Sequence, residues 1–198
     1  MVKTGWITVD VNNTIMSTFN VEYKRINNST VKATLSLAAE NKPIVTVPII
    51  VLDVSGSMSG GRIKHCLNAV RHILSKVGSV HLLTYGTNCQ DHGIITSDDA
   101  TKVSIDGMTS FRAAYETLIT VVSKKREPSQ VIFMTDGEDT VRNKHVDLDR
   151  AWLKENLNGK TCVIHTIGIE CESHTQHMLD LSRCGSSEGT YGYFSSNV

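Results

Sequence analysis

Ile49-Ile50-Val51-Leu52-Asp53-Val54-Ser55-Gly56-Ser57-Met58-Ser59-Gly60-Gly61 is the stretch that decides the fold. Four consecutive apolar residues run directly into a polar loop rich in glycine. A short, unbroken apolar run is what a strand buried on both faces requires, because neither face can be given to water. Beyond the loop, Ile63, Cys66, Leu67, Val70, Ile73, Leu74 and Val77 recur at helical spacing and predict an amphipathic helix. A buried strand, a loop and a helix in that order open an α/β unit.

The same alternation continues downstream. Val80 to Tyr85 reads as the next strand, and Phe111, Ala114, Tyr115, Leu118, Val121 and Val122 form a second helical stripe. Val131-Ile132-Phe133-Met134-Thr135 and Cys162-Val163-Ile164-His165-Thr166-Ile167 are two more buried strands, with a helix expected over 147–157 between them. A helix over 174–183, closed by Gly185, and an edge strand at Tyr191-Gly192-Tyr193-Phe194 complete the unit. Strands alternating with helices imply a mostly parallel sheet with helices on both faces. Such sheets bind ligands beyond the carboxyl ends of their strands.

Upstream the period changes. Residues 7–11, 19–26 and 31–37 alternate like half-buried strands, Val31, Ala33, Leu35 and Leu37 sharing the buried face. Asn12-Asn13 and Asn27-Asn28-Ser29 supply turn residues between them, and Asn41-Lys42-Pro43 is the seam. The expected organisation is therefore a small antiparallel β extension over 1–43 and an α/β domain over 44–198.

Composition narrows the function. The 198 residues carry 20 Lys plus Arg against 20 Asp plus Glu, so no overall field draws nucleic acid or an anionic membrane. The five cysteines are odd in number and widely spread, with no Cys-x-x-Cys pair, which suits reduced thiols. No signal-peptide-like stretch follows Met1, and the most apolar run, 44–52, is too short to span a bilayer. A cytoplasmic location is expected, which leaves the sequons at Asn12, Asn27 and Asn28 without consequence.

The chemistry lies at the carboxyl edge of the sheet. Asp53, Ser55 and Ser57 sit at i, i+2 and i+4, a spacing that points three oxygens one way in an extended segment. Gly56, Gly60 and Gly61 allow the backbone to bend around a small object. Thr109 precedes the Phe111 helix, and Asp136 follows the Val131–Thr135 strand. A carboxylate-and-hydroxyl donor set is hard, suited to Mg2+ or Mn2+ rather than zinc. Its bland alternative is a polar turn in which Asp53 caps the next helix.

Asp-x-Ser-x-Ser after a buried strand, a Thr before a helix and Thr135-Asp136-Gly137 after a later strand together resemble the von Willebrand factor type A (vWA) family. The resemblance covers roughly 44–198. It implies a doubly wound, Rossmann-like sheet with a metal-ion-dependent adhesion site (MIDAS) at its top. By matching position, Ser55, Ser57 and Thr109 would coordinate the ion directly, and Asp53 and Asp136 directly or through water. Two carboxylates and neutral hydroxyls leave the ion electrophilic, with a position that a partner's Glu or Asp can take. The implied function is a metal-dependent protein-interaction module, not an enzyme.

The sequence departs from the commoner family pattern at Met108, where a glycine is frequent beside the threonine. The extension before residue 44 resembles what precedes the domain in some intracellular relatives of ubiquitin-ligase type, but there is no RING-type zinc pattern, so ligase activity is not carried over. Rival readings are a magnesium-dependent phosphohydrolase using Asp53 and a structural domain with a degenerate metal site. Against the first, Ser55 stands where a second acid is needed, and there is no P-loop. His165, Cys171, His174, His177 and Cys184 lack convincing zinc spacing. Lys124-Lys125-Arg126 reads as a solvated helix end, Trp152 as core or interface, and Glu138 and Asp139 as a solvated turn in preference to a lining of the metal rim.

Overall fold

The computed structural model describes residues 3–11, 15–25, 31–38, 46–96, 103–137, 139–170 and 174–194. The chain divides into two compact units, Met1–Val45 and Thr46–Val198. The first holds three antiparallel strands in the order β1 (Lys3–Val11), β2 (Ile15–Arg25), β3 (Val31–Ala38). Ile7 lies opposite Phe19, and Val21 opposite Leu35. Expectations for the Asn-rich turns, for the seam at 41–43 and for the buried face of β3 fall outside what is described.

The second unit is built on β4 (Ile49–Asp53), whose five residues are all buried. It pairs in parallel with β5 (Ser79–Tyr85) on one side and β7 (Ser129–Thr135) on the other. β8 (Cys162–Ile169) and β9 (Tyr191–Phe194) extend the sheet in parallel beyond β7. β6 (Cys89–Thr96) closes the far edge, antiparallel to β5, giving the order β6-β5-β4-β7-β8-β9. The order reverses between β4 and β7, the switch point beyond whose strand ends sheets of this kind bind ligands.

The sequence pattern does not reveal β6. Its residues are mostly exposed or half-buried, as an edge strand allows, and its pairing with β5 rather than its side chains holds it. Gly86, in the connection between β5 and β6, has a physical reason to be glycine. A Cβ there would stand 2.1 Å from the Asp106 carbonyl oxygen.

Helices cover both faces. α1 (Gly61–Val77) packs Cys66, Val70 and Leu74 onto one face with Ile50, Leu52, Val80, Leu82 and Met134. Val77, expected on that stripe, is 42% exposed, because the helix ends at Gly78 (φ 82°) as the chain turns into β5. α2 (Phe111–Lys124) buries all six residues of its stripe on the other face. α3 (Val146–Asn156) and α4 (Thr175–Ser182) join it through Leu153, Met178 and Leu181. Each fully buried aliphatic or aromatic side chain contributes about 1.5–3 kcal/mol.

Candidate metal centre

Asp53 ends β4 and is wholly buried. Its Oδ1 accepts from the Ser55 backbone N–H at 2.8 Å. Its Oδ2 accepts from the Thr135 hydroxyl at 2.6 Å and from the Tyr85 hydroxyl at 3.3 Å. All three donors are neutral, and no ion pair to Asp53 occurs among the described residues. Burial pushes its carboxyl up to about 6, against the pull of the Thr135 and Ser55 hydrogen bonds, and neighbouring Asp136 adds to the rise. Burial also keeps the Tyr85 phenol protonated, and therefore a donor.

Ser55 is buried and Ser57 exposed, and their Oγ atoms lie 3.1 Å apart. The strand does not continue through them as the i, i+2, i+4 spacing suggests. Gly56–Met58 curls into a 3-10 turn closed by Met58 N–H to Ser55 O at 3.0 Å. The hydroxyls meet because the loop folds back, not because it stays extended. Gly56 allows this: its N–H donates to Gly107 O at 2.9 Å, and a Cβ would stand 3.2 Å from that oxygen.

The same contact brings in Thr109. Asp106 N–H donates to Val54 O at 2.7 Å, so the 103–110 loop lies along the serine loop. Thr109 is buried, and its backbone is clamped by residues 140–141. Its N–H donates to Thr140 Oγ1 at 2.9 Å, and its carbonyl accepts from Thr140 and Val141 N–H. Met108 beside it is exposed, its N–H held by Thr87 Oγ1 at 3.0 Å, so its bulk points away from the packed interior.

Asp136 follows β7 and has its own cation. Arg62, in the first turn of α1, donates from one terminal nitrogen to Asp136 Oδ2 at 3.0 Å and to Ser57 O at 3.1 Å. Its Nε donates to Glu170 Oε2 at 2.9 Å. The Glu170 hydrogen bond raises the Arg62 pKa further, so the guanidinium stays charged. Arg62 therefore ties the Ser57 loop to the ends of β7 and β8. Sequence spacing could not pick out Arg62 or Glu170, which stand 108 residues apart.

A profile of the von Willebrand factor type A domain matches residues 48–192. The chain belongs to the von Willebrand factor type A family. No curated protein matches it at a significant level. Among solved structures, an ArnB paralogue, VWA2 from Sulfolobus acidocaldarius, is similar with a TM-score of 0.52 at 14% identity, over 98% of this chain and 50% of that one. Proximal thread matrix protein 1 of the mussel byssus gives 0.52 at 16%, over 73% of this chain and 41% of that one. The human COPII-coat protein Sec24c gives 0.53 at 9%, over 76% and 30%. The chain thus spans half or less of each of these proteins, and the likeness is one of fold.

The vWA fold gathers Asp53, Ser55, Ser57, Thr109 and Asp136 onto three adjoining loops at the switch point. Their hydroxyls and carboxylates are the oxygen donors that a hard divalent cation takes. Asp53 is a buried carboxylate with only neutral donors, and Asp136 lies close enough to raise it further. Two hydroxyls stand in contact beside it. The alternative of Asp53 as a helix cap does not hold, since the N-cap of α1 is Gly60 (φ 82°), with no side-chain cap.

Asp139 corrects the expectation of a solvated turn. It is buried and accepts from the N–H groups of Phe111 at 2.9 Å, Val141 at 3.0 Å and Arg142 at 2.6 Å. With Ser110, which accepts from Ala113 N–H at 3.3 Å, it caps the start of α2 and fixes the Thr109 turn. Glu138 and Cys171 lie outside the described residues. His177 stacks on Phe111 with centroids 4.9 Å apart, its pKa lowered to about 4 by burial and by Arg150. Cys184 and His165 bond elsewhere, to Asp180 O and Thr190. Trp152 carries the Arg112 guanidinium 3.4 Å above its ring. No helix among the described residues is long and apolar enough to cross a membrane.

Proposed function

We propose that this domain is a metal-dependent protein-interaction module that captures a Glu or Asp side chain of a partner through a divalent ion, Mg2+ or Mn2+. Ser55, Ser57 and Thr109 would supply neutral oxygens, and Asp53 and Asp136 the negative charge, directly or through water. The ion, when bound, supplies an electrophilic centre for a hard anionic oxygen. The chain's own part is positional. Thr135, Tyr85 and the Ser55 amide orient the Asp53 carboxylate, and Asp139 and Thr140 hold the Thr109 turn.

The observation that carries this proposal is Asp53, a buried carboxylate surrounded by neutral donors at the carboxyl end of β4. The residue types argue against the phosphohydrolase reading. Ser55 stands two residues after Asp53, where an aspartyl-phosphate enzyme needs a second acid for the leaving group. The proposal takes the chain as a binder rather than an enzyme, at work in the cytoplasm.

Mn2+ titration followed by calorimetry tests it. The wild type should give one saturable site that Asp53→Ala and Thr109→Ala abolish or weaken more than tenfold, both variants remaining folded by circular dichroism. Partner capture should be lost in EDTA and restored by Mg2+. Full capture in EDTA contradicts the proposal, and so does magnesium-dependent phosphatase turnover that disappears in Asp53→Asn.

A further inference from the structure

Arg62 is the only cation in contact with the proposed ligand set among the described residues, and it is placed by three hydrogen bonds to three different loops. Its position is held from the far side by Glu170, whose φ of 53° makes it the one non-glycine residue in the left-handed region among those described. Glu170 N–H donates to Phe194 O at 2.8 Å, so the pairing of β8 with β9 fixes the backbone that carries this carboxylate. A residue whose backbone is kept in a disfavoured conformation by its surroundings is a placed group. Arg62 is about one-third exposed, so it reaches solvent rather than the core.

The charges make the consequence specific. Asp53, Asp136 and Glu170 count three formal negative charges, and Arg62 returns one. A divalent cation then brings the cluster to neutrality. Without Arg62 the same loaded cluster would keep a net negative charge, attracting the cation more and an incoming carboxylate less. The two binding steps therefore respond to this guanidinium with opposite signs.

We propose that Arg62 is a positioning and tuning residue that sets the division of affinity at this site, weakening cation binding and readying the loaded site for an anion. The proposal rests on the metal reading above. A purely structural brace would act differently, since its loss would loosen Asp136 and the Ser57 loop and weaken both steps together.

The test uses Mn2+ alone, then acetate added to the Mn2+-saturated protein, read by calorimetry and by the water-proton relaxation enhancement of bound Mn2+. Arg62→Gln should bind Mn2+ roughly tenfold more tightly, and its bound Mn2+ should need severalfold more acetate to lose the enhancement. Glu170→Gln should shift both in the other direction, by roughly threefold. Arg62→Lys, which keeps the charge without the fork, should stay near wild type in both. Equal or weaker Mn2+ binding by Arg62→Gln, or an unchanged acetate response, overturns the proposal while leaving the metal reading standing. Failure of the wild type to bind Mn2+ overturns both. Should Arg62→Gln prove unfolded by circular dichroism, Glu170→Gln decides by the same criteria.

Discussion

Asp53 and Asp149 are both buried to 2% exposure or less, yet the fold answers their charges in opposite ways. Asp149, on α3, has two arginines of its own. Arg112 donates to Oδ1 at 3.3 Å, and Arg142 Nε lies 3.0 Å from Oδ2 in an ion-pair contact without hydrogen-bond alignment. Arg112 is itself steadied by Glu116 at 2.7 Å and by the Trp152 ring. Asp53 has three hydrogen bonds, two of them short, and no cation among the described residues. A buried carboxylate that brings its own counter-charge joins helices together. One that brings only neutral donors leaves its charge to be matched from outside.

Four measurements would break or sharpen that contrast. The largest effect belongs to the self-contained region. Asp149→Ala should destabilise the domain by about 3 kcal/mol in urea unfolding, with or without metal, because two arginines lose their partner. Little change there would mean the ion pairs are solvated in solution. Next, Mg2+ at about one hundred times its dissociation constant should stabilise the wild type by about 2.7 kcal/mol, and Asp53→Asn not at all. Equal stabilisation of both proteins would move the cation elsewhere.

The third effect runs the other way from ordinary mutational damage. In EDTA at pH 7, Asp53→Asn should be more stable than wild type by about 1–2 kcal/mol, since an uncompensated buried charge is gone at the expense of one hydrogen-bond acceptor. The pH window follows from the sign of the shift. Asp53 holds its proton more tightly folded than unfolded, so the wild type keeps that stability below about pH 4 and loses it as pH rises to about 6. The advantage of Asp53→Asn should therefore appear only as pH rises through that interval. The difference between the two proteins must be read rather than either profile alone. His177, whose pKa is lowered, contributes stability that is lost as pH falls from about 6.5 toward about 4. The smallest effect is that of Ser57→Ala. It should change stability in EDTA by less than about 0.5 kcal/mol, because the side chain is exposed, while still weakening Mn2+ binding in the same titration.

Legibility in the sequence followed burial. β4, β7, β8 and the α2 stripe stand out because both sides of a central strand and one side of a helix must be apolar, and those periods are local. β6 does not, because an edge strand held by backbone pairing places little demand on side-chain pattern. The motif residues were legible because Asp53, Ser55, Ser57 and Asp136 follow the ends of buried strands and Thr109 precedes a helix, and the hydrophobic pattern marks those element ends. Asp139 was misread as solvated because nothing near it in sequence says that the N-terminus of α2, 28 residues earlier, will sit on its carboxylate.

The sequence alone determined an alternating α/β chain with hydroxyls and carboxylates at the carboxyl edge of its sheet, since hydrophobic period and loop chemistry are properties of neighbouring residues. Only the tertiary structure decided how those oxygens are charged and held: Thr135 and Tyr85 on Asp53, Asp139 under α2, and Arg62 between Asp136 and Glu170. The physical reason is that electrostatic balance depends on distance in space and on exclusion of water. Both are fixed only once β4, β5, β7 and β8 lie side by side.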